Sequence, residues 1–157
     1  MKLAEALTLR GDQDKKIRGL RERTKNTARY VEGETPVESA AELIVETREL
    51  IRAQAELITR INHTNARTYL TGVDGLTITA ALAERDRISQ EAGFLKDIAD
   101  EASPSRDPYS RRKRVTELPE RTDLEVKNLR RQADSLASTH RELDSRIQQV
   151  NWATDLL

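Results

Sequence analysis

The chain has 157 residues, with 27 Lys and Arg against 27 Asp and Glu, which favours one charge-rich domain with no net field to attract nucleic acid. It has no Cys, so disulfides, Cys-ligated zinc and thiol chemistry are excluded, and its five aromatics (Tyr30, Tyr69, Phe94, Tyr109 and Trp152) are too few for a base-stacking platform. Six Gly and four Pro argue against an all-β sandwich, and the dominance of Ala, Leu, Arg and Glu reads as long helices.

The first predicted helix runs over about residues 2–31. Its apolar positions are Leu3, Ala6 or Leu7, Ile17, Leu20, Ala28 and Val31. The spacing breaks between Leu7 and Ile17, where Arg10, Gln13 and Asp14 take the inward slots. Gly11 and Gly19 each cost about 1 kcal/mol relative to Ala. This helix needs partners. It carries nine basic and four acidic residues, and is expected to lie against acidic helices.

Residues 32–36 form a turn in which Gly33 supplies the left-handed position that closes a helix. Thr35, Pro36 and Glu38 then offer an N-cap, a first-turn proline and a capping-box acid. The second helix is expected over 36–69. Ile44, Ile51 and Ile58 repeat every seven residues, as do Leu43, Leu50 and Leu57, with Ala40, Thr47, Gln54 and Ile61 between the rows. Such a face is about 100° wide, broader than a two-stranded seam, so one partner helix would not cover it. Thr64 and Asn65 then stand where the two rows would continue. Polar residues on a buried face must find hydrogen bonds, so a polar network or solvent is expected there.

A turn follows at Thr71–Gly75. Thr77 or Thr79 caps a third helix that runs to about Glu101, with Arg85 inside its apolar stripe of Ile78, Leu82, Ile88, Ala92, Leu95 and Ala99. Residues 103–121 read as an irregular basic crossover or arm, with three prolines and the run Arg111, Arg112, Lys113 and Arg114. This run is a candidate contact for RNA, DNA phosphate or anionic lipid, although a solvated loop paired with acidic helices explains it as well. Thr122 and Glu125 form a capping box for a last helix that runs to about Trp152. Its stripe is Val126, Leu129, Ala133, Leu136, His140, Leu143, Ile147 and Val150. The fold expected is all-α: one domain, a bundle of long antiparallel helices with coiled-coil-like packing, its core shared between chains of a homo-oligomer.

Two sets of polar residues are chemistry candidates. His140 and Asp144 lie at i, i+4 on one helix face, a spacing that holds a metal, with His63 to complete the site. The same pattern fits a single polar slot that fixes register, and that reading is preferred, so no metal or cofactor is assigned. The second set is Arg10, Asp14, Arg60, Asn62, Asn65, Arg85, Asp86, Asp144, Gln148 and Asn151, all on or beside inward faces. A structural network is preferred for these over a ligand cleft. No catalytic constellation is found: Gly72-Val-Asp-Gly75 lacks the Lys-Ser/Thr of a phosphate loop, and no Ser or Thr is placed with a His. No secretory signal precedes Glu5 and no apolar run approaches 18 residues, so a cytoplasmic protein without a stable membrane span is expected.

Several stretches together resemble the septicolysin-like family of small bacterial proteins. They are Met1-Lys-Leu-Ala-Glu-Ala-Leu7 with Arg10 and Asp12, Glu32-Gly-Glu34 with Pro36, Arg60-Ile-Asn-His-Thr-Asn65, Leu76-Thr-Ile-Thr-Ala-Ala-Leu-Ala-Glu-Arg-Asp86, Arg141-Glu-Leu-Asp144 and Asn151-Trp-Ala-Thr-Asp-Leu-Leu157. The resemblance covers nearly the whole chain in order. It implies an α-helical fold and, by the family's name, a cytolysin-like membrane activity, with no catalytic motif to carry over. The residues themselves favour a non-enzymatic, intracellular helical assembly or interaction protein. Membrane activity, and nucleic-acid or small-ligand binding through the basic loop or the polar bundle end, are the alternatives.

Overall fold

The computed structural model describes residues 1–72, 75–103 and 121–157. Its regular structure is helical: α1 (Leu3–Thr27), α2 (Ala40–Arg67), α3 (Ile78–Glu101) and α4 (Val126–Ala153), joined by two isolated β-bridges. The expected all-α fold is what forms. Apart from its two ends, the basic crossover with Arg111, Arg112, Lys113 and Arg114 lies outside the described residues. The chain divides into two compact units, Met1–Ala80 with Ile147–Leu157, and Ala81–Arg146.

In the first unit α1 and α2 pack as an antiparallel pair. Arg23 meets Glu38, Lys16 meets Glu46 and Asp14 meets Gln54, so rising numbers on one helix face falling numbers on the other. The basic first helix lies against a partner that is neutral over its own span, with four Glu and four Arg, so the expected acidic partner reduces to the two carboxylates, Glu38 and Glu46, that meet Arg23 and Lys16. Leu20 of α1 and Leu43, Leu57 and Ile61 of α2 are buried along this unit's core.

Both helices are shorter than their sequence patterns suggest. α1 stops at Thr27 rather than near Val31. The hydroxyls of Thr24 and Thr27 bond back to the carbonyls of Leu20 and Arg23, while Tyr30 and Val31 beyond them are exposed and bury nothing that would hold another turn. Gly33, at φ 92°, closes a separate turn in which the Glu34 amide donates to the Val31 carbonyl. α2 starts at Ala40 rather than Pro36, because Ser39 is the better cap. Its hydroxyl accepts from the Glu42 amide at 3.3 Å, while Val37 is wholly exposed. Thr77 caps α3 as expected, accepting from the Ala80 amide. Thr122 does not cap α4. Its hydroxyl accepts from Leu124 two residues on, and the helix begins after Glu125, whose carbonyl takes the first amides.

After α2, Thr68–Leu70 turns back on Leu76–Ile78 through two backbone hydrogen bonds, Leu70 N to Leu76 O at 2.8 Å and Ile78 N to Thr68 O at 2.9 Å. Gly72 and Gly75 take the positive φ angles this tight return requires. The same unit holds the end of the described chain. Leu3 N donates to Thr154 O and Leu156 N to Met1 O, both at 2.9 Å, and Lys2 pairs with Asp155 at 3.0 Å. Leu3, Ile147, Val150 and Leu156 are buried around this clamp.

In the second unit α3 and α4 are also antiparallel, since Arg85 pairs with Asp144 and Asp100 with Arg130. Its buried residues, Ala81, Ile88, Ala99, Ala133 and Leu143, are mostly small, which suits closely approaching helices. Among the described residues no helix is long and apolar enough to cross a membrane.

One side chain adds a further bond beside the clamp. Thr64 is fully buried, donates to Arg60 O at 2.9 Å and accepts from Leu157 N at 3.0 Å. Thr64→Val keeps the shape and removes the acceptor. Its expected cost is about 1 kcal/mol, seen as a lower urea midpoint with an unchanged slope.

Candidate functional site

The polar end of α2 is the first place where predicted residues meet. Arg60 donates from Nε to Leu157 O at 2.8 Å, and Thr64 takes the amide of the same residue. These two side chains tie α2 to the backbone of Leu157 rather than facing a cleft. Asn65 is half-buried and Asn151 buried, and neither Oδ1 has a hydrogen-bond partner among the described residues. Asn62, His63 and Gln148 are exposed, so they do not join the network expected of them. Each lies one position off the buried rows, where a 100° step turns the side chain outward. Arg10 and Asp14 are exposed as well, contrary to their inward placement in the sequence pattern. The weak periodicity of α1 left its phase undetermined there. Asp14 nonetheless accepts from Gln54 Nε2 at 2.6 Å.

The second place lies between α3 and α4. Arg85 donates from Nη1 to Asp144 Oδ1 at 3.1 Å and from Nη2 to Asp86 Oδ1 at 3.0 Å. The hydrogen bonds that Arg85 donates to Asp86 raise its guanidinium pKa above the ordinary value, partial burial opposes this, and Asp144 adds to the rise. Arg85 thus holds Asp144, the residue proposed as a metal partner for His140. His140 is half-buried and forms no hydrogen bond among the described residues. Two carboxylates neutralise one cation here, and the arrangement ties two helices without exposing a reactive group. Among the described residues no cluster of three or more His, Asp or Glu is placed to hold a metal.

The third place was not singled out residue by residue in the sequence. Ile17, Arg21, Thr24 and Lys25 of α1 and Ile44, Thr47, Arg48 and Ile51 of α2 line an open groove of about 410 Å³. Its floor is carbon. The hydroxyls of Thr24 and Thr47 are spent on the carbonyls of Leu20 and Leu43 in their own helices. Ile44 and Ile51 are each 47% exposed. The wide face of α2 was legible, and the groove is where α1 fails to cover it. The Leu row turns inward, with Leu43 and Leu57 buried, while the Ile row is left at the edge.

The two edges of this seam differ in charge. On one, Lys16 meets Glu46 at 2.9 Å and Arg23 forks onto Glu38. On the other, every charged residue lining the groove is a cation: Arg21, Lys25 and Arg48. Lys25 reaches Glu22 on its own helix, and Arg21 and Arg48 form no ion pair among the described residues.

Two predictions follow from these geometries. A double-mutant cycle on Arg85→Ala and Asp144→Ala should return a coupling of roughly 0.5–1 kcal/mol from urea melts; no coupling would remove the structural role of the pair. The hydrogen bond from Arg23 holds the Glu38 carboxyl below its ordinary value of 4.5. A lowered carboxylate stabilises the fold above that value and loses the contribution as pH falls through the lower folded-state value. Glu38→Gln should therefore melt below the wild type at neutral pH and converge with it in acid.

No curated protein matches the chain. A solved structure described as "a functionally unknown conserved protein from Corynebacterium diphtheriae" superposes with a TM-score of 0.85 at 31% identity, over 100% of this chain and 99% of that one. Neither that structure's description nor the matching family's names a role. The family match spans residues 10–156, nearly the whole chain, and the chain belongs to the family described as "Family of unknown function (DUF6847)".

Proposed function

We propose that the protein works inside the cell as a non-catalytic interaction module, docking a helix of another polypeptide on the open edge of the α1–α2 seam. The observation that carries this reading is the Ile row of α2. Ile44 and Ile51 stand a heptad apart and nearly half exposed over a carbon-floored groove. Single exposed aliphatics are ordinary on protein surfaces, whereas a row at helical spacing beside a groove is how helix-binding surfaces are built.

A second reading has one specific support. The heptad spacing of Ile44, Ile51 and Ile58 also suits self-association, in which two copies share the core that a single α1 leaves uncovered. Native mass spectrometry of the protein as purified from its own cells tests both. The expected spectrum shows the 17.8 kDa chain bound to a further polypeptide, and Ile51→Asp returns a bare monomer with unchanged helicity by circular dichroism. A wild-type chain that is a bare monomer at all concentrations overturns the proposal.

A further inference from the structure

We infer that the occupant of the α1–α2 groove is an acidic amphipathic helix of a different protein, with aliphatic residues at i, i+3 or i+4 and i+7 and Asp or Glu on both flanks. The inference rests on the docking reading above and adds the chemistry of the partner. It follows from how the seam divides its charge. Glu38 and Glu46 are engaged by Arg23 and Lys16 on the far edge, so they offer nothing to the groove. Arg21 from α1 and Arg48 from α2 flank the carbon floor from opposite sides, with Lys25 beside them. Arg48 sits between Ile44 and Ile51 on the same helix face, so anything that covers those isoleucines must also meet its guanidinium. Two cations facing each other over an apolar trough repel and stay hydrated until an anion lies between them. Arginine suits the task, because its planar fork takes a carboxylate through two hydrogen bonds.

Charge and shape also separate this occupant from the others. In a second copy related by a two-fold axis through the groove, Arg21 and Arg48 would face their own images, which is unfavourable across a desolvated interface. An anionic membrane would satisfy the cations but not the floor. Ile17 lies half-buried at the bottom of a concave trough, where a flat bilayer cannot reach. Interfacial insertion uses protruding side chains, often aromatic, and no aromatic lines this groove. The seven-residue step from Ile44 to Ile51 spans about 10 Å, which matches about two turns of a bound helix.

The test uses the full chain and two labelled three-heptad peptides, each with Leu at the a and d positions. One carries Glu at e and g, the other Lys. Like charges at those positions keep each peptide from pairing with itself. Fluorescence anisotropy should show the Glu peptide binding at least about tenfold tighter than the Lys peptide, with the preference shrinking as salt rises. Ile44→Asp should abolish binding of both. The double variant Arg21→Glu with Arg48→Glu should reverse the preference, an outcome that a misfolded chain cannot produce. Equal affinity for the two peptides overturns the acidic-partner inference and leaves the docking reading standing. If neither peptide binds while the protein sediments as a dimer that Ile44→Asp dissociates, the inference falls and the self-association reading takes the place of docking. A monomer that binds neither peptide overturns both, as does binding to anionic phosphatidylglycerol vesicles alone.

Discussion

Two backbone hydrogen bonds, from Leu3 to Thr154 and from Leu156 to Met1, hold the first unit closed. They join segments about 150 residues apart, so forming them costs loop-closure entropy that buried surface must offset. Leu3, Leu156, Ile147 and Val150 supply that surface. Thr64 converts the contact from a greasy one into an addressed one, because its hydroxyl meets a single backbone amide. The polar end of α2 is therefore the reason the isoleucine and leucine rows stop where they do. A leucine in place of Thr64 would add surface and leave the Leu157 amide unpaired.

The α1–α2 seam follows a different rule. Its cohesion comes from Leu20, Leu43 and their neighbours, since exposed ion pairs such as Lys16 with Glu46 contribute less than about 1 kcal/mol each. What those pairs fix is register and orientation. They also use up the acidic side chains of the seam on one edge, so that the other is left cationic and apolar together. The asymmetry that steadies the pair is the same asymmetry that gives it a recognisable open face.

Much of this was legible in the sequence. The heptad rows of α2 and α4 locate their helices, the Leu row of α2 marks its buried side, and Thr77, one of two threonines the sequence offers, caps α3. Polar residues standing in apolar rows point to Thr64, and the placement of Arg85 and Asp144 on or beside inward faces anticipates their contact. What was not legible has physical causes. Two N-caps four residues apart, Thr35 and Ser39, are each locally sound, and only packing decides between them. The phase of α1 was lost over Arg10 to Asp14, because too few apolar residues fixed it. His140 and Asp144 share a helix face, but a carboxylate follows the strongest donor, and that donor came from another helix. The groove escaped notice because it is an absence of cover. Periodicity shows how wide an apolar face is, and the three-dimensional neighbour determines how much of it stays bare.

The backbone clamp also sets an order of events during synthesis. Ribosomes add about 5–20 residues per second, so Thr154 emerges roughly 8–30 s after Leu3. Helix pairs with local contacts fold within microseconds to milliseconds. α2 is complete at Arg67, so for a little over half of that interval α1 and α2 are paired while Ile61, Thr64 and Leu3 wait uncovered. The nascent chain thus presents a greasy, half-built end before the finished protein does. Closure of the clamp removes that surface, whereas the groove stays open in the finished protein.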